Sequence, residues 1–576
     1  MSASPHSEQL PISPRVLTVL RLLLAALSAL MVVLFVYTAL RRMHFAFEYD
    51  WIEDGMLASV RHIRSGLPLY SAPSTTFTPY LYTPVYLYIA AAISRGMGIS
   101  YATLRLLSML STLGCFAVIY LLVWHEARKH LAAIAAVGLF AACYPVVQGA
   151  FDLGRVDMLY LFFVLLAFYV TRFGNPALAA LLWVLAFQTK QGVLPIALLA
   201  LCYDWQRPRR VLLGLGSFVA LLGASIFLLN VLSHGWYNYY VFHLAGGFGL
   251  VKAQATDFLR ADLVRPCGIA LLVVFAAWLA APPSLRSRAL SFYTLGSLGM
   301  VAFTGYLRAH RGANFNSLLP MYAWLAVLFG LALARLFSAL EHFPCECNPG
   351  RMVPWAFSSM KTPLHGSPGI PINRENVLER RNSRAADAAI TLLLTVASLQ
   401  LAQHLYSPAS LLPSAQQLAE REAFEHQLRL IPGEVMVLSH PEDAVLAAKP
   451  LFAGSESIGA VIDAPDHTRG DALAQLYQQL LHSGELSAVV LDMSAEQNLA
   501  QQSDGHRIWM PADFLALYPL RVAAAGADQQ ALGSEPRWIY LPCNSLGVAK
   551  ALDADVDAGA CSSIQSGRIS SSAGSR

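Results

Sequence analysis

FEYDWIEDGMLASVRHIRSGLPLY, residues 47–70, follows a long apolar run and brings four carboxylates within seven positions of a membrane boundary. These acids are Glu48, Asp50, Glu53 and Asp54. Acidic side chains beside a bilayer are uncommon because a charge is costly in hydrocarbon. An N-cap at Asp50 or Asp54, for the predicted helix GMLASVRHIRSG, explains a single acid. It does not explain four, and the group indicates a water-facing site next to a membrane helix.

The composition predicts a polytopic α-helical membrane protein. Of 576 residues, 56% are apolar and 13% are charged, whereas a soluble protein carries about a quarter charged residues. Several windows of about 20 residues contain almost no charge and are long enough to cross a bilayer. The net charge of +4 is small and spread along the chain, which indicates no nucleic-acid partner.

We expect eleven membrane spans with a cytoplasmic N-terminus. The predicted spans are residues 15–40, 104–124, 131–149, 156–172, 176–190, 192–205, 210–232, 266–283, 289–306, 315–338 and 387–405. A twelfth candidate, 80–98, contains Pro84 and several tyrosines, which are typical of a helix that lies at the interface. Eleven spans place short basic loops such as WHEARKH and DWQRPRR in the cytoplasm, as the positive-inside rule requires.

The composition changes after the last span. GEVMVLSH and LSAVVLDM read as strands, and DALAQLYQQLLHSG between them reads as a helix. This order predicts a small extracytoplasmic α/β domain. Cys543 can pair with Cys561 of the tail if the tail faces an oxidising compartment. The predicted organisation is a cytoplasmic N-terminus (1–14), a transmembrane domain (15–338), a flexible cytoplasmic loop (339–386), a last span (387–405), the α/β domain (406–550) and a disordered tail (551–576).

The first external loop resembles that of the GT-C class of integral-membrane glycosyltransferases, which includes the protein O-mannosyltransferases and the aminoarabinose transferases of lipid A. These enzymes have an Asp-Glu pair after the first span, then a G-x-P-Y-like turn and a Pro/Tyr-rich interfacial helix. Here Glu53-Asp54 stands in reversed order, followed by Gly66, Pro68 and Tyr70. The resemblance covers residues 15–340 and rests on arrangement more than on an invariant string.

The resemblance implies transfer of a sugar from a polyprenyl-phosphate donor to an envelope lipid, glycan or protein, on the outer face of the bacterial inner membrane. Such a transfer needs a carboxylate general base beside the acceptor hydroxyl. Glu53 is the favoured base, because Asp54 precedes Gly55 and is also a plausible N-cap. A second acidic cluster, QGAFDLGRVDMLY, adds Asp152 and Asp157 as catalytic candidates.

The leaving lipid phosphate needs cationic or hydrogen-bonding partners. The candidates on the predicted outer face are Arg155, Lys190, Arg308, His310, Arg311 and Asn314. Lys190 stands in AFQTKQGVLP, which resembles the T-K-x-G motif of the class. Plainer explanations stay open: an Arg–Asp pair that holds a loop around Arg155, and contacts of Arg308 and Arg311 with anionic lipid head groups.

No metal or other cofactor is expected, because the histidines lack H-x-x-x-H or H-E-x-x-H spacing; a divalent cation is left open. A transporter or flippase for an amphiphilic glycolipid is the alternative function, and a non-catalytic membrane scaffold is a third. The absence of an internal repeat and the position of the unusual charges on one face argue against the transporter. The sequence names neither the sugar, the acceptor nor the lipid carrier.

Overall fold

The structure is a computed structural model. It describes residues 14–244, 251–280, 288–310, 313–341, 374–464, 467–503, 509–526, 536–552 and 561. Most of the predicted N-terminal segment, cytoplasmic loop and C-terminal tail, together with Arg311, lies outside these residues.

Each of the eleven predicted spans coincides with helical structure in the described chain. The helices are α1 (Pro14–Met43), α2 (Trp51–Arg64), α3 (Val85–Met97), α4 (Tyr101–Ala127), α5 (His130–Ala142), α6 (Asp157–Phe173), α7 (Pro176–Phe187), α8 (Leu194–Leu201), α9 (Pro208–Leu232), α10 (Trp236–Asn238), α11 (Lys252–Asp257), α12 (Arg265–Leu279), α13 (Arg288–Arg308), α14 (Leu319–Glu341) and α15 (Arg374–Ala402). Two π-helical turns, Tyr239–Leu244 and Phe258–Val264, flank α11. The chain is a polytopic membrane protein.

Helix length separates full crossings from shorter elements. Six helical stretches of the described chain are long and apolar enough to cross a membrane, among them α1, α4 and α9. The 13-residue α3 extends only about 20 Å, less than the hydrocarbon thickness. The predicted span α5 is equally short, so the interfacial position of α3 stays a prediction from its Pro84 and tyrosines. The helices α7 and α8 are also short and meet in the turn that contains Lys190.

Small residues allow the membrane helices to approach closely. The alanine-rich α5 packs against α1 and α14. A Cβ added at Gly138 would lie 2.5 Å from Ser28 of α1, and one at Gly330 would lie 2.8 Å from Ala136. Lipid tails are as apolar as the helices, so such close packing, rather than exclusion of water, holds these helices together.

A four-stranded sheet forms the centre of the C-terminal domain, as the strand and helix patterns predict. Its elements are α16 (Ala415–Leu430), β1 (Glu434–Val437), α17 (Pro441–Leu446), α18 (Ser455–Ile462), α19 (His467–His482), β2 (Leu486–Leu491), α20 (Ala495–Ser503), α21 (Phe514–Leu517), β3 (Leu520–Ala523), β4 (Trp538–Leu541) and α22 (Leu546–Leu552). The strand order is β1-β2-β4-β3, with β1 parallel to β2 and the other pairs antiparallel. The predicted pairing of Cys543 with Cys561 is present.

The C-terminal domain packs directly on the first external loop. Met56 and Val60 of α2 belong to the same buried apolar cluster as Met436 and Tyr477 of the C-terminal domain. The backbone N–H of Ala453 also donates to the carbonyl of Thr75, at 2.9 Å. The side chains of the first loop are therefore enclosed between two domains.

A reporter fused after Tyr406 is expected to be active only outside the cytoplasm, because eleven crossings from an inner N-terminus end outside. The Cys543–Cys561 disulfide also requires an oxidising compartment. A fusion after Arg128, between α4 and α5, is the matched control and should be active only inside. Cytoplasmic activity after Tyr406 would contradict eleven spans.

Candidate active site

A fully buried ion pair organises the first external loop. Arg105 of α4 donates to both carboxylate oxygens of Glu53, at 3.0 and 2.7 Å. The exposed fractions of the two side chains are 1% and 0%. The same guanidinium donates to the carbonyls of Arg42, Phe45 and Phe47, at 2.6–3.3 Å. The Arg105 guanidinium thus makes five hydrogen bonds, and the Glu53 carboxylate balances its buried positive charge.

The Glu53 carboxylate is engaged from the other side as well. It accepts hydrogen bonds from the backbone N–H of Tyr49 at 2.8 Å and of Gly154 at 2.6 Å. Its two oxygens therefore hold the start of α2, the loop before α6 and Arg105 together. Glu53, the base favoured from the sequence, lies inside the protein with no free oxygen.

A line of alternating charges runs from α2 to the turn between α7 and α8. Asp50 caps α2 by accepting from the N–H of Ile52, and its other oxygen lies 2.6 Å from Arg155. Asp157, at the start of α6, lies 3.2 Å from Arg155 and 2.7 Å from the Lys190 ammonium. Asn316 donates to the same Asp157 oxygen at 3.1 Å. We name this set, Asp50, Arg155, Asp157, Lys190 and Asn316, the polar line.

The middle of the polar line is buried and its ends are accessible. The side chains of Arg155 and Asp157 are 6% and 4% exposed, whereas those of Asp50 and Lys190 are 10% and 17% exposed. A molecule from solvent or from the bilayer surface therefore meets a carboxylate at one end and an ammonium at the other. The sequence grouped Arg155, Asp157 and Lys190 as site residues, and the structure brings these three together.

Asp54 belongs to a different cluster, which lies under the C-terminal domain. It is fully buried and accepts a short hydrogen bond from the hydroxyl of Tyr101. Burial, together with the nearby charges of Glu48 and Asp443, raises the pKa of Asp54 well above its ordinary value. Asp54 thus faces the domain interface and not the polar line.

Glu48 connects the same cluster to the C-terminal domain. One of its oxygens lies 2.6 Å from Arg421 and 2.7 Å from Nδ1 of His440. Burial disfavours the charged carboxylate, but Arg421 and His440 hold the pKa of Glu48 well below its usual range. Burial likewise opposes the charged imidazole, but Glu48 raises the pKa of His440 well above its ordinary value. Burial raises the pKa of Asp443, which also contacts Arg421, to about 7.

The remaining sequence candidates have other partners. Asp152 is buried, lies 3.1 Å from Arg42 and accepts from the hydroxyl of Tyr144. Arg308 lies 2.8 Å from Asp262, and Asn314 caps the short turn that precedes α14. His310 lies in contact with the ring of Tyr306.

Some residues near the site were not identified, or only partly identified, from the sequence. Asp50 was expected as an N-cap; it caps α2 and also forms an ion pair with Arg155 at one end of the polar line. His440 and Asp443 carried no signal, because their partners lie in the first external loop and the sequence does not show that contact. Asn314 was the asparagine expected to bind phosphate, but it is Asn316, two residues later, that reaches Asp157.

The sequence matches no protein-family model and no curated protein. Among solved structures, ArnT from Cupriavidus metallidurans in the apo state has a TM-score of 0.54 and 14% identity, covering 90% of this chain and 97% of ArnT. ArnT bound to undecaprenyl phosphate gives a TM-score of 0.51 and 13% identity over the same shares. This chain has the GT-C fold. The fold expected from the first external loop is thereby confirmed.

A second neighbour is more distant. The oligosaccharyltransferase AglB from Archaeoglobus fulgidus, in complex with an inhibitory peptide and a dolichol-phosphate, has a TM-score of 0.42 and 12% identity. The match covers 88% of this chain and 74% of AglB. This likeness is too weak to carry an argument about the present chain.

Glu53→Gln is expected to destabilise the protein by about 3–5 kcal/mol, because it leaves the Arg105 charge buried without its counter-ion. Thermal unfolding in detergent measures the effect. Glu126→Gln removes the partner of Arg172 in a pair whose side chains are 18–19% exposed, and it should cost much less. Equal unfolding temperatures for the Glu53 variant and wild type would contradict the anchoring role of Glu53.

Proposed function

We propose that this protein is a glycosyltransferase of the bacterial inner membrane, which moves a sugar from a polyprenyl-phosphate carrier to an envelope acceptor on the outer face. The observation that carries the proposal is the polar line, with Asp50 and Lys190 accessible at its two ends and Arg155 and Asp157 buried between them. The solved structure of ArnT with undecaprenyl phosphate, which has the same fold, supports a lipid phosphate as the ligand class.

Lys190 is the proposed partner of the donor phosphate. Its ammonium lies at the junction of two short helices, where a phosphate anchored in the bilayer can approach it. The ammonium donates to Asp157, and Asn316 donates to the same carboxylate oxygen and so holds Asp157 in place. Negative charge grows on the phosphate as the glycosidic bond breaks, and a preorganised cation stabilises that charge in the transition state.

Asp50 is the proposed general base. The Asp50 side chain is 10% exposed, whereas Glu53 and Asp54 are fully buried. Asp50 is therefore the acid of the three that an acceptor can reach. Arg155 fixes one oxygen of Asp50. In the transfer, the acceptor hydroxyl gives its proton to this carboxylate as its oxygen attacks the anomeric carbon, and the lipid phosphate leaves with the bonding electrons.

Two tyrosines provide a surface for the sugar. The rings of Tyr80 and Tyr82 are parallel, with centroids 6.4 Å apart. The Tyr80 ring lies against Gly55 in the first turns of α2, the helix that Asp50 caps, so the two tyrosines lie near the Asp50 end of the polar line. A few polar groups beside aromatic faces are the usual lining of a small-molecule site.

The function is tested with the purified chain in nanodiscs and radiolabelled polyprenyl-phosphate sugars. Release of polyprenyl phosphate, dependent on an added acceptor, supports the proposal. Movement of intact labelled glycolipid between leaflets without release would instead support the transporter.

Lys190→Gln is expected to weaken donor binding by about 1–3 kcal/mol, because it removes a charge-assisted contact with the phosphate. Equilibrium binding of a radiolabelled donor measures this effect. Lys550→Gln makes the same charge change on an exposed position of α22 and should bind the donor as wild type does. Equal affinity in the Lys190 and Lys550 variants would contradict the assignment.

Asp50→Asn is expected to lower turnover by about 10²–10⁴-fold, the usual contribution of a general base. Asparagine caps a helix as well as aspartate does, and Arg155 keeps Asp157 as its counter-ion, so folding and donor binding should persist. The exposed acid Asp513 gives the control Asp513→Asn, which should turn over normally. Near-normal turnover in Asp50→Asn would contradict its role as general base, and that role would then have to be sought at Glu53, Asp54, Asp152 or Asp157.

A further inference from the structure

Two buried cysteines meet where the end of α5 approaches the start of α12. Cys143 is the C-cap residue of α5, and Cys267 lies in the first turn of α12. Both residues are fully buried. Their thiol groups lie within hydrogen-bonding reach of each other, and the Cys143 thiol also donates to the carbonyl of Leu139 at 3.3 Å.

The other free cysteines that the structure describes have different surroundings. Cys115 is buried in α4 and donates to the carbonyl of Met158 at 3.9 Å. Cys202 is exposed at the end of α8. Cys143 and Cys267 therefore form the dithiol of the membrane domain in the described chain.

The predicted topology places both thiols toward the outer face. Helix α5 begins after the turn at Arg128, which is expected inside, and it therefore ends outside. Helix α12 follows an external segment and begins outside. In that compartment Cys543 pairs with Cys561, and an oxidising compartment converts neighbouring thiols into disulfides.

The first turn of α12 is held in place by the last span. The backbone at Cys267 is not helical, and the polar groups around it bond to the end of α15 instead. The carbonyl of Pro266 accepts from Gln400 at 3.0 Å and from His404 at 2.7 Å, and the N–H of Ala270 donates to Gln400 at 2.8 Å. Because α15 also packs against α5, these contacts hold Cys267 beside the end of α5.

A cavity of about 380 Å³ lies next to the dithiol. Its walls include Val146, one turn beyond Cys143, and Pro266, the neighbour of Cys267. Arg265, on the same wall, is exposed. The cavity therefore connects the surroundings of both thiols with the protein surface.

We propose that Cys143 and Cys267 form a disulfide bond, which joins the outer ends of α5 and α12. The oxidant is a protein disulfide of the outer compartment, and the reaction is thiol–disulfide exchange. One cysteine, as the thiolate, attacks a sulfur of the oxidant, and the other cysteine then displaces the oxidant from the mixed disulfide. One S–S bond forms in this chain, one breaks in the oxidant, and the two thiol protons end on the oxidant's sulfurs.

The bond fixes the point at which the external segment between α9 and α12 enters the membrane. It also links two residues that are far apart in sequence, which restricts the unfolded chain and stabilises the fold. The inference does not depend on the proposed glycosyltransferase activity, because the state of the thiols and the unfolding temperature are measured without a substrate.

The test uses the full chain, denatured directly from membranes in excess N-ethylmaleimide, which caps every free thiol. The chain is then reduced, and the released cysteines react with an isotopically heavy maleimide that mass spectrometry locates. We expect the heavy label on Cys143 and Cys267, as on Cys543, and the light label on Cys115 and Cys202. Light label on both Cys143 and Cys267, or heavy label on only one of them, would overturn the proposal.

Thermal unfolding in detergent, with and without a reducing agent, measures what the bond contributes. Reduction should lower the unfolding temperature of wild type by on the order of 5 °C more than that of Cys143→Ala, because both chains also contain Cys543–Cys561. Cys115→Ala, a matched change in the buried part of α4, should respond as wild type does. Equal responses of wild type and Cys143→Ala would contradict the bond. The labelling experiment needs only wild type, so it decides the matter if the variant does not fold.

Discussion

The structure depends on one buried ion pair, Arg105 with Glu53. Burying a charge is tolerated only when its partner and hydrogen bonds are in place. Arg105 meets this condition by gathering the carbonyls at the end of α1 and the carboxylate of α2 around one guanidinium. Because Glu53 also accepts from Gly154, the same pair fixes the loop that carries Arg155 and Asp157. The polar line is therefore aligned by a contact that is itself sealed inside the protein.

This arrangement separates the acids of the first external loop into three physical roles. Glu53 holds the loop to α4 through Arg105. Asp54 and Glu48 face the C-terminal domain, and Asp50 is partly exposed. The roles follow from burial and partners, and not from residue type, since all four are carboxylates. The division follows from exposure, because a carboxylate that is sealed inside the protein cannot be reached by a molecule from solvent, whereas the Asp50 side chain is 10% exposed.

The membrane helices could be predicted from the sequence because a long apolar run has few alternatives in a bilayer. The strands β1 and β2 were likewise evident from short apolar runs that flank an amphipathic helix. The roles of individual acids could not be predicted, because they depend on partners such as Arg105 and His440, which are 52 and 392 positions away in sequence. Arg155, Asp157 and Lys190 were candidates from the sequence because each borders a helix end on the same predicted face, but only the structure shows that they contact one another.

The short helices α7 and α8 have a consequence for the surrounding lipid. Twelve residues of α7 extend about 18 Å, well below the hydrocarbon thickness of an average bilayer. Local thinning of the bilayer is one way in which such a hydrophobic mismatch is relieved, and it would draw the head-group region toward the turn that carries Lys190. Such thinning would let the proposed isoprenoid carrier bring its phosphate to the Lys190 ammonium while its tail stays in the hydrocarbon.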